Sequence, residues 1–323
     1  MRALVVTASD QRTIEALTWT DRPVPQPGPE QVLVRTAAVG LNPVDYKVVQ
    51  AGNPAWRFPH TVGVDIAGTV AAVGANVTRV RVGDRVAGHG DLAQDGTFAE
   101  CAIMPAAALA VIPTNVSWVT AAGSLCAGLT AYQALYRKAN LTAVDTVLVH
   151  AGAGGVGSMA IQLARAAGKQ VATTVSAHKQ DFVGRLHPDL MIDYRTEDVD
   201  QRLADWTHGL GVDLIINTIG QPAADLSRLA YNGQLVCVLD TPDTAPGAKA
   251  LAISDLNLGG AHRSGDPRQV ADLGRMAQAL LALIATGQVD PQVERVVPAA
   301  DIVTGLQMIA ADKVVGKVVA TFA

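Results

Sequence analysis

The chain has 323 residues, 49% apolar and 17% charged, with a net charge of −4 and three cysteines. That length exceeds a usual single domain, and the apolar fraction is enough for two cores. The lack of a basic block and the scarcity of aromatics exclude nucleic acid as the main partner. Cys101, Cys126 and Cys237 lie far apart, which is no disulfide framework. Met1 to Thr7 lack the pattern of a signal peptide, and no apolar run reaches membrane-spanning length. A cytoplasmic protein with no membrane partner is therefore expected.

In chain order, residues 1 to about 122 read as mostly β. Apolar or alternating runs occur at Arg2–Thr7, Gln31–Val39, Gly68–Val73, Arg85–Gly88 and Phe98–Ile103. Turn-rich stretches such as Pro23–Gly28 separate them. A short helix is expected to open after Asn42, and a helical stretch from Trp118 to Lys138 to break at Gly128. From about 123 to 263 strand and helix alternate. The strands expected are Thr146–His150, Gln170–Thr174, Leu190–Asp193, Val212–Asn217, Gln234–Leu239 and Asp255–Leu258. Six strands with helical crossovers predict a doubly wound parallel sheet. A long helix over 267–286 closes at Gly287. Strand, helix and strand follow at Val293–Val297, Asp301–Ala311 and Val315–Thr321. These last strands suit the first sheet, so the expected domains are 1–122 with 264–323, and 123–263.

The run Val147-Leu148-Val149-His150 feeds Ala151-Gly152-Ala153-Gly154-Gly155-Val156-Gly157, and an amphipathic stretch follows at once. Strand, glycine turn and helix in this order form the dinucleotide fingerprint G-x-G-x-x-G. Gly152 is expected to allow the sharp turn and Gly154 to let a pyrophosphate approach the backbone. Gly157 is expected to let the helix pack close to its strand. The helix N-terminus then offers N–H groups and a positive dipole end to the phosphates. A carboxylate at the end of the second strand would select NAD; Thr173 through Lys179 contain none. Ser176 and Lys179 suit a 2′-phosphate instead, and Tyr194 and Arg195 follow the neighbouring strand. The cofactor expected is NADPH. Ser176 as a helix cap and Lys179 as a solvated residue are the competing readings. Asn217, Thr218 and Leu239 end their strands on the ligand side of such a sheet.

Several stretches together resemble a known family. They are Asn42-Pro43-Val44-Asp45, Gly63-Val64-Asp65-Ile66-Ala67-Gly68, Val82-Gly83-Asp84-Arg85-Val86 and Gly96-Thr97-Phe98-Ala99-Glu100. Gly128-Leu129-Thr130-Ala131, the glycine turn and Gly316-Lys317-Val318-Val319 follow. The chain is similar over essentially its whole length to the medium-chain dehydrogenase/reductases, in the zinc-independent quinone oxidoreductase branch. The resemblance implies a GroES-like (chaperonin-10-like) mostly-β domain plus a Rossmann domain, with the active site in the cleft between them. It also implies a homodimer joined through the sixth strand of the parallel sheet.

A catalytic zinc needs three protein ligands. In the zinc-dependent relatives these slots fall at Asn42, at Val64 and at Cys126. Asn42 and Val64 cannot serve as the usual ligands, so no metal is expected and Cys126 reads as a small buried residue. The resemblance places Asn42 and Tyr46 toward the nicotinamide, as candidate catalytic donors. Asn42 is a donor or cofactor contact, or else a helix cap; Tyr46 is a donor or a pocket wall. Thr130 and Lys317 are further cofactor candidates, Lys317 equally a surface lysine, and Arg263 is a candidate for the substrate. The function expected is NADPH-dependent hydride transfer to a quinone or an α,β-unsaturated carbonyl. The alternatives are an NADPH-binding sensor or structural protein, and an alcohol dehydrogenase-like activity.

Overall fold

The computed structural model describes residues 1–243, 247 and 249–322. The chain forms two compact units: Met1–Leu129 with Gly259–Gly287 and Pro291–Ala323, and Thr130–Leu258 with Gln288–Asp290. The first division falls inside the helix Leu125–Gln133, where the change of sequence pattern had put it at residue 122.

The first unit is built on Gln31–Leu41, a long strand whose burial pattern fits a sheet packed on both faces. Asp65–Val73 pairs with it antiparallel, and Cys101–Pro105 lies on its other side. The C-terminal strands join the same sheet. Lys317–Thr321 pairs antiparallel with Gln31–Leu41, with Val318 opposite Leu41, and Val293–Pro298 pairs parallel with Lys317–Thr321. Arg2–Val6 belongs to a separate small sheet with Thr18–Asp21 and His60–Thr61. One core gathers Leu4, Val39, Leu41, Val49, Phe98 and Ile302; another gathers Val34, Ile66, Val86, Met104 and Leu109.

The second unit holds a six-stranded sheet whose pairs are all parallel. Counting its strands from Thr146–Val149, the order is 3-2-1-4-5-6, the doubly wound arrangement. The order reverses beside Thr146–Val149, so the crevice at the carboxyl ends of the strands opens at the glycine turn. The sixth strand is Ala252–Asp255, at an edge, where the sequence pattern had suggested Asp255–Leu258. Leu256 and Leu258 are buried beyond its end, which accounts for their apolar spacing. The helical stretch after residue 118 breaks at Ser124, and Gly128 lies inside the second helix. Among the described residues no helix is long and apolar enough to cross a membrane.

Candidate functional site

In the second unit the glycine turn has a division of labour that differs from expectation. Ala151, not Gly152, takes the left-handed conformation, at φ 53°. Gly152 is required for a different reason: a Cβ there would stand 2.3 Å from Thr173 Oγ1, which donates to the Val149 carbonyl at 2.7 Å. At Gly157 a Cβ would stand 2.2 Å from the Ala151 carbonyl oxygen, so the helix packs against the turn itself. Gly154 is exposed at the tip, and a Cβ there would meet only Ala151 O, at 3.3 Å. The helix Gly155–Ala166 opens at Gly154 with no side-chain cap. Its first-turn N–H groups are suited to an anion, and open space beside Gly154 gives that anion access to the backbone. Ala153 is buried, while Gly155 and Val156 are half-buried in the first turn.

The neighbouring strand ends lie side by side. Val175 is in register with Asp193, so Ser176 and Tyr194 follow adjacent strand ends. Ser176 is buried and stands at the N-cap position of the turn Ala177–Lys179, without a side-chain cap bond. Lys179 is half-buried. Tyr194 and Arg195 are exposed, and the Arg195 guanidinium lies 5.8 Å from the Tyr194 ring centre. Leu239 is exposed and Thr130 is buried. Thr218 donates through Oγ1 to the His150 carbonyl at 2.8 Å. Asn217 has no side-chain group to spare. Its amide donates to Asp225 at 2.7 Å and to Gly220 O at 3.2 Å, and its oxygen accepts from Ile219 N and Gly220 N. It shapes the turn after the fourth strand instead of offering a donor of its own.

Beneath the glycine turn lies a buried polar network that the sequence did not disclose. His150 Nε2 is 2.9 Å from Asp225 Oδ1, and its Nδ1 is 3.1 Å from Thr174 Oγ1. Thr174 Oγ1 also accepts the Ala151 N–H, which ties the imidazole to the turn. Burial pushes Asp225 upward, but the hydrogen bonds from His150, Asn217 and Arg228 outweigh it and hold the carboxyl below its ordinary value.

In the first unit the residues at positions 42, 45, 65 and 317 form one buried cluster. Asn42 Nδ2 donates to Asp65 Oδ2 at 2.8 Å and to Gly40 O at 3.3 Å. Its Oδ1 accepts from Lys317 Nζ, which also donates to Leu41 O at 3.1 Å. Asp65 accepts the Cys126 N–H at 3.0 Å. The Asn42 amide is thus fully engaged within the protein, and Asn42 stands at the N-cap of the helix Pro43–Ala51 in a capping box with Asp45. In that box Asp45 Oδ2 accepts the Asn42 N–H at 2.8 Å. Lys317 is 4% exposed, which settles it as buried and not a surface lysine. Among the described residues no carboxylate is within ion-pair distance of its nitrogen.

Burial, then the Asp65 charge, pushes Asp45 up to about 8, so at neutral pH Asp45 keeps its proton. Its Oδ1 is buried without a hydrogen-bond partner. Burial raises Asp65 to about 6, with Lys317 and Asn42 opposing. Tyr46 is half-buried against the core that contains Leu41 and Val49. Cys126 is only partly buried by area, against the expectation of a buried residue; desolvation and the Asp65 charge still hold its thiol well above its ordinary value. Arg263 is exposed. Asp65 was the overlooked member. A carboxylate inside the apolar run Val62–Ala67 was the available signal, because an acid there must find partners on folding.

Two family models match. Residues 28–114 match the alcohol dehydrogenase GroES-like domain, and residues 186–319 match the zinc-binding dehydrogenases. The chain is 35% identical over 226 residues to the quinone oxidoreductase of Pseudomonas aeruginosa, covering 69% of both chains. It is 34% identical over 241 residues, 73% of its length, to the phthioceranic/hydroxyphthioceranic acid synthase of Mycobacterium tuberculosis, but spans only 11% of that protein. Among solved structures, a mycobacterial protein complexed with NADPH is 31% identical with a TM-score of 0.86, over the whole of both chains.

Proposed function

Because the chain belongs to the medium-chain dehydrogenase/reductase superfamily, in its quinone oxidoreductase branch, we propose that it is an NADPH-dependent, zinc-independent reductase of quinones or α,β-unsaturated carbonyls. The observation that carries the cofactor half of this reading is the uncapped helix start with open space at Gly154. NADPH supplies the hydride. Gly154 to Gly157 hold its pyrophosphate, and Ser176, Lys179 and Arg195 take its 2′-phosphate. Lys317, held by Asn42 Oδ1 and the Leu41 carbonyl and facing the charge of Asp65, is the cofactor candidate of the first unit. Asn42 and Asp65 are positioning residues: they fix the Lys317 ammonium. Thr130, Thr218 and Leu239 line the same cofactor path.

The donor set at the zinc slots does not suit a dication. Asn42 Oδ1 already accepts from an ammonium, Val64 offers no ligand atom, and the Cys126 thiolate is disfavoured by burial and by Asp65. A conjugated acceptor needs no Lewis acid, because conjugation spreads the incoming charge onto its oxygen. The protein has to hold the two rings together and give that oxygen a hydrogen bond. With the Asn42 amide engaged, Tyr46 is the donor, and solvent supplies the remaining proton. The protein acts in the cytoplasm as a homodimer.

The test is stopped-flow mixing of NADPH-loaded wild type and Tyr46→Phe with a quinone and an enone. Fast loss of NADPH absorbance in the wild type and a rate about 10-fold or more lower in the variant is expected for a lost transition-state hydrogen bond. No turnover with any acceptor would return the protein to an NADPH-binding, non-catalytic role. Turnover with an unchanged Tyr46→Phe rate would keep the reaction and make Tyr46 a pocket wall.

A further inference from the structure

A cavity in the first unit carries chemistry that hydride transfer does not use. Its volume is about 530 Å³, within the range of small-molecule sites. The strand Gln31–Leu41 separates it from the cluster around Asn42. From Arg35 to Leu41 that strand runs roughly 20 Å. Thr321 and Phe322 line the cavity at the far end of the strand that begins with Lys317.

The lining is asymmetric in charge. Arg2 and Arg35 both face the cavity, and neither guanidinium forms an ion pair or hydrogen bond among the described residues. The Arg2 guanidinium lies 5.3 Å from the centre of the Trp19 ring. Arg35 and Cys101 are register partners on neighbouring strands. The one acid present, Glu100, has Oε2 on the Arg2 backbone N–H at 2.8 Å. Thr36 is 6% exposed, and its hydroxyl has no partner; the Trp19 indole N–H is buried without one as well. Arg2 and Arg35 are both exposed, so their guanidinium forks are hydrated and free to exchange water for an anionic acceptor. The rest of the wall is apolar, from Pro298, Ala299 and Phe322.

We propose that this cavity binds a small organic carboxylate, with its anionic end between Arg2 and Arg35 and its apolar body against Trp19, Ala299 and Phe322. The guanidinium fork matches a carboxylate in geometry and charge, and the apolar wall selects against a bare inorganic anion. The site is independent of the hydride reaction and of its cofactor.

Cys101 provides a local reporter, since it is half-buried in the wall. Burial raises its thiol above the ordinary value, so labelling is run at mildly alkaline pH. Iodoacetamide labelling of the full chain is followed at Cys101 by peptide mass spectrometry, with benzoate, benzyl alcohol or inorganic phosphate added. Glutathione added to the same reaction is the reference thiol, because burial holds the Cys126 and Cys237 thiols well above the ordinary range. Benzoate should slow Cys101 alkylation several-fold without slowing that of glutathione. Arg35→Ala, a change at an exposed position, should raise the benzoate concentration needed for half-protection by about tenfold or more. No protection by benzoate would overturn the proposal. So would equal protection by benzyl alcohol, by phosphate alone, or in the Arg35→Ala protein.

Discussion

Replacing Gly154 and Gly157 separately by alanine should split stability from cofactor binding. At Gly157 the new methyl would stand 2.2 Å from the Ala151 oxygen, 2.8 Å from its carbonyl carbon and 3.0 Å from Gly152 Cα. All three are backbone atoms of the turn, which no rotamer change relieves. The helix start must therefore retreat by about 1 Å to restore ordinary contact distances. Overpacking of this kind costs about 1–3 kcal/mol, or about 2–4 °C of melting temperature per kcal/mol. At Gly154 the methyl meets only Ala151 O, at 3.3 Å, and the residue has φ −79° and ψ 165°, which alanine adopts freely. Stability should change there by less than about 1 kcal/mol, the cost of a poorer N-cap. The same methyl would occupy the space that a pyrophosphate needs, so NADPH affinity should fall about tenfold or more. Thermal melting and fluorescence titration with NADPH on both variants decide the matter. Wild-type NADPH affinity in Gly154→Ala would refute the assignment of the phosphates to this turn. So would an affinity loss that merely follows the melting temperature in both variants.

Lys179→Ala should weaken NADPH by about 10- to 100-fold and leave NADH nearly unchanged, as for a lost charge-assisted contact to a 2′-phosphate. Equal loss for both cofactors, by titration, would mean that Lys179 acts through the fold. Asp45 holds its proton up to about 8 when folded, against an ordinary 3.8. The folded state therefore binds more protons across that window, and stability falls as pH rises through it, by up to about 1.4 kcal/mol per pH unit. Denaturant melts from pH 5 to 9 should show this slope in the wild type and a flatter one in Asp45→Asn; identical slopes would remove Asp45 as the cause. The edge strand Ala252–Asp255 leaves main-chain groups for a second copy. Light scattering at micromolar concentration should give the dimer mass, and a monomer mass would leave that edge to be covered otherwise.

The parts of this architecture visible in the sequence were those with local periodicity. Leu190–Asp193 and Val212–Asn217 were read to the residue because turn residues bound short apolar runs. The glycine turn was legible for the same reason, since strand, turn and helix are contiguous. Which glycine does what was not. Gly152 is fixed by Thr173, a residue of the next strand, and Ala151 takes the left-handed turn because Gly152 and Thr174 brace it. The cluster at Asn42 depends on pairings between distant segments, Leu41 with Val318 and Asp65 with the Cys126 N–H. No spacing within one segment records those contacts. The resemblance singled out Asn42 and Lys317, but only the fold revealed that Lys317 donates to the Asn42 oxygen while Asp65 and the Gly40 carbonyl take both amide hydrogens. His150 and Asp225 were silent for the same reason: each looks ordinary in its own stretch.

The proposed hydride transfer from NADPH to a conjugated acceptor without a metal is tested most directly by NADPH oxidation with a quinone, an enone and a matched saturated ketone, with and without a strong chelator. Turnover of the conjugated acceptors, slow reduction of the saturated ketone and no effect of the chelator are expected. A saturated ketone as the best acceptor, or activity abolished by the chelator, would contradict it.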